Sequence, residues 1–208
     1  MATLPAQQEF TDLATEDQII KTVQALEVHG IRTLVFETGE EARACVLDLI
    51  PAKMEVYNPP SRTLDQIGLT ADIESLNGTQ SLRSRLRSLD RKTQSHEIRK
   101  MTASPDVVVG SVHAITEQGE ILIASASGSQ LSSAVFGADV VIWVAGTQKL
   151  VRTLDEGFRR IREYSYPLED ARTRQMYGQP SAINKILVVR GERPGRITMV
   201  LVRQNLGF

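Results

Sequence analysis

Apolar positions in the first 60 residues alternate between a helical and an extended period. Residues 16–29 carry apolar side chains three and four apart and end before Gly30, which predicts a helix. Residues 31–37 are rich in β-branched residues and predict a strand. Residues 39–50 predict a second helix, and residues 54–60 predict a second strand that ends at two prolines. A strand, a helix and a strand at this spacing favour a right-handed parallel crossover, the unit of an open α/β sheet.

The stretch 61–101 is mostly polar and predicts a helical excursion from the domain. Ser61 is placed to cap the first helix of this excursion. Residues 85–100 form a strongly basic run. This run either forms a solvated helix that covers one side of the domain, or faces an anion or a partner.

The second half of the chain predicts most of the buried sheet. Residues 106–110, 120–125 and 139–146 are apolar almost throughout, which is typical of strands covered on both faces. Residues 128–138 predict a short helix opened by Gly and Ser. The remaining predicted elements are one or two helices over 153–177, interrupted at Pro167, and a closing antiparallel pair of strands, 185–192 and 197–208, joined by an Arg-Pro-Gly turn.

Composition excludes several classes of protein. The net charge of −1 gives no global field that would favour nucleic acid. No apolar run reaches the roughly 20 residues that a membrane helix needs. From the charge and the run length together, we expect neither nucleic acid nor a membrane as a partner. A single cysteine, Cys45, rules out an intramolecular disulfide and a cysteine-only iron–sulfur site, and three dispersed histidines predict no metal site. Because residues 1–10 lack a signal-peptide pattern, we expect a cytoplasmic protein.

Candidate chemistry lies where strands of the predicted sheet end. Ligands of open parallel sheets bind beyond the carboxyl ends of the strands. The strand 121–125 runs directly into Ser127, Gly128, Ser129 and Gln130, and then into a helix. Free N–H groups at a helix start favour an anion, so this loop is either a cradle for a phosphate, a carboxylate or a thioester carbonyl, or a tight β–α turn with a serine cap.

Other charged side chains are placed to join such a crevice. Glu117 precedes strand 120–125 and is either an exposed turn residue or a nucleophile or base beneath the Ser/Gly loop. If residues 112–118 are helical, His113 and Glu117 share a face and one can orient the other; the alternative is that His113 is a core or hydrogen-bonding histidine. Lys149 follows the most apolar strand and therefore faces the carboxyl-end crevice. Arg172 either belongs to a surface ion pair or points at an anionic ligand.

The segment 105–151 reads PDVVVGSVHAITEQGEILIASASGSQLSSAVFGADVVIWVAGTQKLV. Together with LDEGFRRIREYSYPLEDAR further on, it resembles the LUD-domain family, and in particular the lactate-utilisation protein C type. That family is distantly similar to coenzyme A transferases, ribose-5-phosphate isomerases and glucosamine-6-phosphate deaminases. The resemblance implies one α/β domain over residues 1–208. Its expected fold is a three-layer, open, mainly parallel sheet of the coenzyme A transferase type, with the helical excursion at 61–101.

The resemblance also implies a site. Glu117 resembles the acidic residue that forms a thioester in class I coenzyme A transferases, so it is a catalytic candidate together with His113. The residues matching or accompanying the anion-binding loop are the ligand-binding candidates, namely Ser111, Ser127, Gly128, Ser129 and Gln130, with Lys149 and Arg172. A second loop typical of the family is replaced here by NPPSRT (residues 58–63), which keeps only Ser61 and Thr63 as candidates.

The function implied is a non-redox protein that supports the use of lactate or a related organic acid. It would bind a small anionic metabolite, or its coenzyme A ester, between Glu117 and the Ser127–Gln130 loop. No intrinsic cofactor is expected apart from coenzyme A, and an iron–sulfur redox protein is the expected partner. Two alternatives stay open: a transferase or isomerase that uses Glu117, and an assembly subunit with no site of its own. Whether the chain is an enzyme, and whether it oligomerises, is also left open.

Overall fold

The computed structural model describes residues 6–76 and 80–208. Two segments lie outside the described residues: residues 1–5 and residues 77–79. The first belongs to the predicted domain and to the segment that lacks a signal-peptide pattern, and the second to the predicted helical excursion. The strands are β1 (Arg32–Phe36), β2 (Glu55–Tyr57), β3 (Gln80–Ser81), β4 (Val107–Gly110), β5 (Ala114–Thr116), β6 (Ile121–Ser125), β7 (Val140–Gly146), β8 (Leu150–Val151), β9 (Lys185–Val189) and β10 (Ile197–Val202). The α-helices are α1 (Glu16–Val28), α2 (Gly39–Leu49), α3 (Arg62–Gln66), α4 (Leu69–Ser75), α5 (Leu82–Arg87), α6 (Ser95–Ala103), α7 (Ser129–Ser132), α8 (Leu154–Arg160) and α9 (Tyr166–Tyr177).

A central sheet of six parallel strands forms the middle layer, in the order β1–β10–β7–β4–β2–β3. Alternate residues of each strand project to opposite faces of this sheet. In β7, Trp143 and Ala145 pack on one face, whereas Ile142 and Val144 pack on the other. Helix α2 covers the second face through Ala42 and Val46, and α1 covers part of the first. The predicted three-layer α/β fold with a mainly parallel sheet is therefore confirmed.

The first two helices begin where the sequence predicts because each start has a complete cap. Thr15 accepts from the backbone N–H of Gln18, and the Gln18 side chain accepts from the backbone N–H of Thr15. Thr38 and Glu41 form the same reciprocal pair at the start of α2. Such boxes satisfy N–H groups that have no partner within the helix, so they fix the residue at which each helix starts.

A second, mixed sheet in the order β8–β5–β6–β9 lies over the first face of the central sheet. In this sheet β5 pairs parallel with β8 and antiparallel with β6, which in turn pairs antiparallel with β9. Ile115, Ile121 and Ile123 join the core that contains Trp143. The opposite face, including Leu122, packs against Ile161 and its neighbours. Strands β5, β6 and β8 are thus buried almost throughout, whereas the edge strand β9 is partly exposed.

One continuous helical segment from 154 to 177 covers that outer face. It consists of α8, a π-helical turn (Ile161–Ser165) and α9. The predicted interruption at Pro167 is wrong. Pro167 stands in the first turn of α9, where the missing N–H is tolerated, and the irregularity is the π turn before it. No helix within the described ranges has both the length and the apolar character needed to cross a bilayer.

Two strand placements also differ from the sequence prediction. The strand at 121–125 is not part of the parallel sheet, because β6 pairs antiparallel with β5 and β9. The closing strands do not pair with each other, because β10 is inserted in parallel between β1 and β7, whereas β9 completes the second sheet. In the structure β10 is buried almost throughout, which is typical of a central parallel strand and not of a terminal hairpin.

Candidate functional site

A cavity of about 660 Å³ opens where the carboxyl ends of β2, β4 and β7 meet the second sheet and the helical segment 154–177. We call it the central cavity. Its wall is partly apolar, with Trp143, Ile123 and Ile161, and partly polar. The sequence-predicted residues that line it are Ser61, Thr63, Ser111, His113, Ser127, Ser129, Gln130, Lys149 and Arg172. Residues scattered over more than 100 positions of the chain are therefore brought to one place.

Lys149 forms part of the buried wall of the central cavity, in the short turn after β7. Its side chain is 1% exposed. The Nζ atom donates to Thr63 Oγ1 at 2.9 Å, to Ser111 Oγ at 3.0 Å and to the carbonyl oxygen of Val112 at 3.1 Å. All three acceptors are uncharged. Burial, and then the nearby charge of Arg160, lower the pKa of Lys149 well below its ordinary value.

The hydroxyl groups around Lys149 are held in a defined order. Thr63 Oγ1 donates to the carbonyl oxygen of Leu206 at 3.3 Å, and Ser111 Oγ donates to Thr63 Oγ1 at 3.1 Å. When Nζ is an ammonium, both hydroxyl hydrogens are used in this way and both oxygens accept from Lys149; when Nζ is neutral, the Ser111 hydroxyl can turn and donate to its electron pair. Ser61 lies in the same loop and caps α3, because its Oγ accepts from the backbone N–H of Leu64 at 3.4 Å. The NPPSRT segment thus contributes two hydroxyls to the cavity wall.

Arg160 is a second buried cation beside the cavity, and sequence reasoning missed it. Its guanidinium donates to the carbonyl oxygens of Gln148 and His113 and, at 3.1 Å, to Ser165 Oγ. It also lies 4.9 Å from the centre of the Tyr164 ring. Burial lowers the pKa of Arg160 to about 10, so the group keeps its charge at neutral pH. The signal was periodic: Arg160 shares a helix face with the buried residues Gly157 and Tyr164.

Charge is unbalanced around these two side chains. Within residues 6–76 and 80–208, no carboxylate lies within ion-pair distance of Lys149 or Arg160. The Nη2 atom of Arg160 is buried and has no hydrogen-bond partner among the described residues. Buried charges are normally paired, because leaving water costs several kcal/mol per ion. This end of the cavity therefore has an electrostatic preference for a negative group.

His113 is held neutral at the cavity wall. Its Nδ1 accepts the backbone N–H of Ala124 at 3.2 Å. Burial, and then the charges of Lys149 and Arg160, lower the pKa of His113 to about 3. A neutral imidazole with an accepting Nδ1 carries its proton on Nε2. His113 can therefore act as a hydrogen-bond donor in the cavity.

The Ser127–Gln130 loop lines the cavity with side chains, whereas its first amides are already engaged. The N–H of Gly128 donates to Ser125 Oγ at 2.9 Å, and the N–H of Ser129 donates to Ser127 Oγ at 3.3 Å. Gly128 adopts φ +89°, a left-handed conformation that favours glycine, whereas a Cβ there would meet only the flexible side chain of Lys185. Gly128 itself does not line the cavity.

The mouth of the cavity carries three arginines. Arg172 donates to both carboxylate oxygens of Glu169, at 2.6 and 2.7 Å, and this hydrogen bonding raises its pKa further. Arg172 is thus an ion-pair residue at the cavity wall, not a free cation. Arg62 and Arg91 are exposed and also line the mouth. For these two, the described residues offer no ion-pair partner.

Glu117 lies outside the central cavity, so the expected convergence of Glu117 with the Ser/Gly loop is wrong. Its carboxylate accepts from Gln18 Nε2 at 3.4 Å and lines a shallow depression with Lys21 and His29. The reason is topological. Residues 112–118 form β5 and a turn instead of a helix, so Glu117 and Gly128 lie at opposite ends of the five-residue strand β6. A strand of that length spans roughly 16 Å.

A family model and one solved structure agree with this architecture. A family model described as the LUD domain matches residues 19–207. The crystal structure of a DUF162 family protein from Deinococcus radiodurans superposes with a TM-score of 0.54 at 14% identity, covering 92% of this chain and 99% of that chain, which is a likeness of fold. The crystal structure of eIF2B beta from Chaetomium thermophilum gives a TM-score of 0.38 at 13% identity, covering 57% of this chain and 44% of that chain. No curated protein matches the chain in sequence.

Proposed function

We propose that this chain, which belongs to the LUD-domain family, binds a small organic anion in the central cavity and thereby serves the use of lactate or a related organic acid. The observation that carries the proposal is the pair of buried cations, Lys149 and Arg160, which have no acidic partner among the described residues. The link to lactate rests on the resemblance to the lactate-utilisation proteins and is part of the proposal.

Electrostatics and hydrogen bonding favour the same occupant. A carboxylate in the cavity supplies the charge that Lys149 and Arg160 lack, and in a buried site this attraction is much stronger than in water. Ser129 offers a hydroxyl donor, since Ser127 Oγ already donates to it, and neutral His113 offers its Nε2–H. The apolar wall around Trp143 accommodates the carbon skeleton of a small acid. A cavity that combines an apolar wall with polar groups at defined positions is typical of a metabolite site.

A coenzyme A ester is a second candidate, favoured by the arginines at the mouth. Arg62 and Arg91 are exposed there and suit phosphate groups, because a guanidinium donates in a fork that matches phosphate oxygens. In this version the acyl group occupies the central cavity and the phosphates stay outside. The same side chains are solvated in the version with a free acid. The two versions therefore differ in whether Arg62→Ala weakens binding.

The other functions considered from sequence have less support. A thioester at Glu117 requires that residue to reach the bound substrate, and Glu117 lies outside the cavity. An assembly subunit needs a surface to cover, and Phe136, at 90% exposed, marks the place to look. The iron–sulfur redox partner stays a prediction from the family resemblance alone.

Calorimetry with a panel of small acids tests the proposal. Lactate, pyruvate, acetate and succinate are titrated into the wild type, into Lys149→Met and into Lys100→Met, a matched control with an exposed lysine on α6. We expect at least one acid to bind the wild type and the control. In Lys149→Met its affinity is expected to fall by roughly 10- to 150-fold, the range for a hydrogen bond to a charged group. Binding that is equal in all three proteins, or absent from the wild type across the panel, would contradict the proposal.

A further inference from the structure

Lys149 has the surroundings of a lysine that reacts as an amine. Lysines of that kind are desolvated, or lie next to another cationic group, because both conditions favour the neutral form with a free electron pair. Lys149 meets both conditions, since it is 1% exposed and Arg160 is close enough to lower its pKa. No carboxylate of the described residues stabilises its ammonium form. A lysine kept only to hold a cation in place would need such a partner.

The neighbouring groups suit attack of that amine on a carbonyl carbon. Ser111 and Thr63 touch Nζ and each other, so they form a chain of hydroxyls through which protons can move. His113 lines the same cavity with a neutral imidazole that carries its proton on Nε2, so it can donate to a carbonyl oxygen. A neutral donor of this kind polarises a carbonyl without adding another positive charge beside Lys149.

We propose that Lys149 forms an imine with the keto group of a 2-oxo acid bound in the central cavity, with His113 as the hydrogen-bond donor to the keto oxygen. This inference rests on the proposed function, because the carboxylate of the same molecule is the anion that the cavity attracts. It narrows the ligand class from small organic acids to those with a carbonyl next to the carboxylate. Such acids are the oxidised counterparts of 2-hydroxy acids.

The step is balanced without any further reactant. The electron pair of neutral Nζ forms a bond to the keto carbon, and the carbonyl π pair moves to oxygen, which receives a proton originally on nitrogen. The resulting carbinolamine loses its C–O bond as the carbon–nitrogen double bond forms, and the oxygen leaves as water with the second proton of the amine. The products are one imine and one water. Ser111 and Thr63 are placed to pass the protons between nitrogen and oxygen.

Reductive trapping tests this step. The full chain is incubated at neutral pH with pyruvate or glyoxylate and then with cyanoborohydride, which converts an imine into a stable secondary amine. Intact mass and peptide mapping are expected to place one adduct on Lys149 and none on the exposed Lys100. Lactate, which has no carbonyl, is the matched ligand control and is expected to give no adduct. Because the lactate control uses the wild-type chain, it does not depend on the folding of a variant.

The outcomes separate this inference from the proposed function. One adduct at Lys149 that requires the oxo acid, and that Lys149→Met lacks, supports imine formation. Anion binding by calorimetry without an adduct overturns imine formation and leaves the proposed function standing. Labelling spread over exposed lysines at equal rates also overturns it. Failure of both binding and trapping overturns both proposals.

Discussion

Replacing Lys149 with methionine is expected to make the ligand-free protein more stable at neutral pH. Methionine is similar in length and unbranched, so it fills the same space without the charge. Burying Lys149 at neutral pH costs several kcal/mol, either as an uncompensated ammonium or as the free energy of deprotonating it, and we count about 3 kcal/mol as recovered in the variant. The carbonyl of Val112 loses its donor, at a cost of about 1 kcal/mol. Ser111 and Thr63 keep their mutual hydrogen bond, so the net gain is about 2 kcal/mol, from these two figures.

The pH dependence has a definite sign. The pKa of Lys149 is lowered in the folded protein, so the unfolded chain binds the proton more tightly. The resulting penalty is complete below the lowered pKa, shrinks by about 1.4 kcal/mol per pH unit above it, and vanishes near the unfolded value. Wild-type stability therefore rises with pH in this window, and the advantage of Lys149→Met shrinks.

Urea unfolding followed by the fluorescence of Trp143 measures both effects. Trp143 is the single tryptophan of the chain and is buried beside the cavity, so its emission reports on the relevant core. Titrations at pH 7, 8 and 9 are compared for the wild type, Lys149→Met and the control Lys100→Met. At pH 7 a gain of about 2 kcal/mol corresponds to roughly 4–8 °C in Tm for a chain of this size. A variant that is less stable than the wild type at pH 7, by a margin independent of pH, would refute the reasoning.

Three further predictions concern ligand binding. Anion binding is expected to raise the pKa of Lys149, so the complex takes up a proton when it forms. Above the pKa that Lys149 has in the ligand-free protein, the affinity for the anion then falls by up to tenfold per pH unit. Calorimetry in two buffers of different ionisation enthalpy measures the number of protons taken up. Gly110→Ala is expected to fold and bind normally, since a Cβ there makes ordinary contacts of 3.8 Å with Pro59 and Trp143. Gly110→Leu is expected to project into the cavity and to weaken binding at least tenfold. Circular dichroism checks the fold of both variants, and calorimetry measures their affinity. Glu117→Gln is expected to leave affinity unchanged because Glu117 lies outside the cavity, and a tenfold loss in calorimetry would restore Glu117 as a site residue.

The fold followed from the sequence wherever local pattern decides structure. The apolar run in β7 and the helical spacing of apolar residues over 16–29 are local signals, and the elements they predict are present. Sheet membership is not a local property. An apolar run such as β6 is equally consistent with a parallel strand and with a strand of the second sheet, because both are buried on two faces.

Site residues that follow strands of the parallel sheet could be predicted from the sequence, whereas the helical residue Arg160 was missed. Lys149 follows β7, and the rule for carboxyl ends of parallel strands places it correctly at the cavity. Glu117 was misplaced because residues 112–118 form β5 and a turn instead of a helix, which leaves Glu117 at the amino end of β6, away from the Ser/Gly loop at its carboxyl end. Arg160 comes from a helix that reaches the cavity only through tertiary packing, and a charged residue on a helix is read as solvated unless the buried face is known.

The π turn at 161–165 determines which side chains of the following helix face the central cavity. Such a turn contains one residue more than a regular helical turn, and that residue changes the phase of everything after it by about 100°. The residues before the turn face the second sheet, whereas Tyr166, Glu169 and Arg172 after it face the cavity. Deleting one residue from the turn would keep the helix and the contacts of its first half, yet rotate these three side chains away. One extra residue in the turn is thus sufficient to give a covering helix a second half that borders the central cavity.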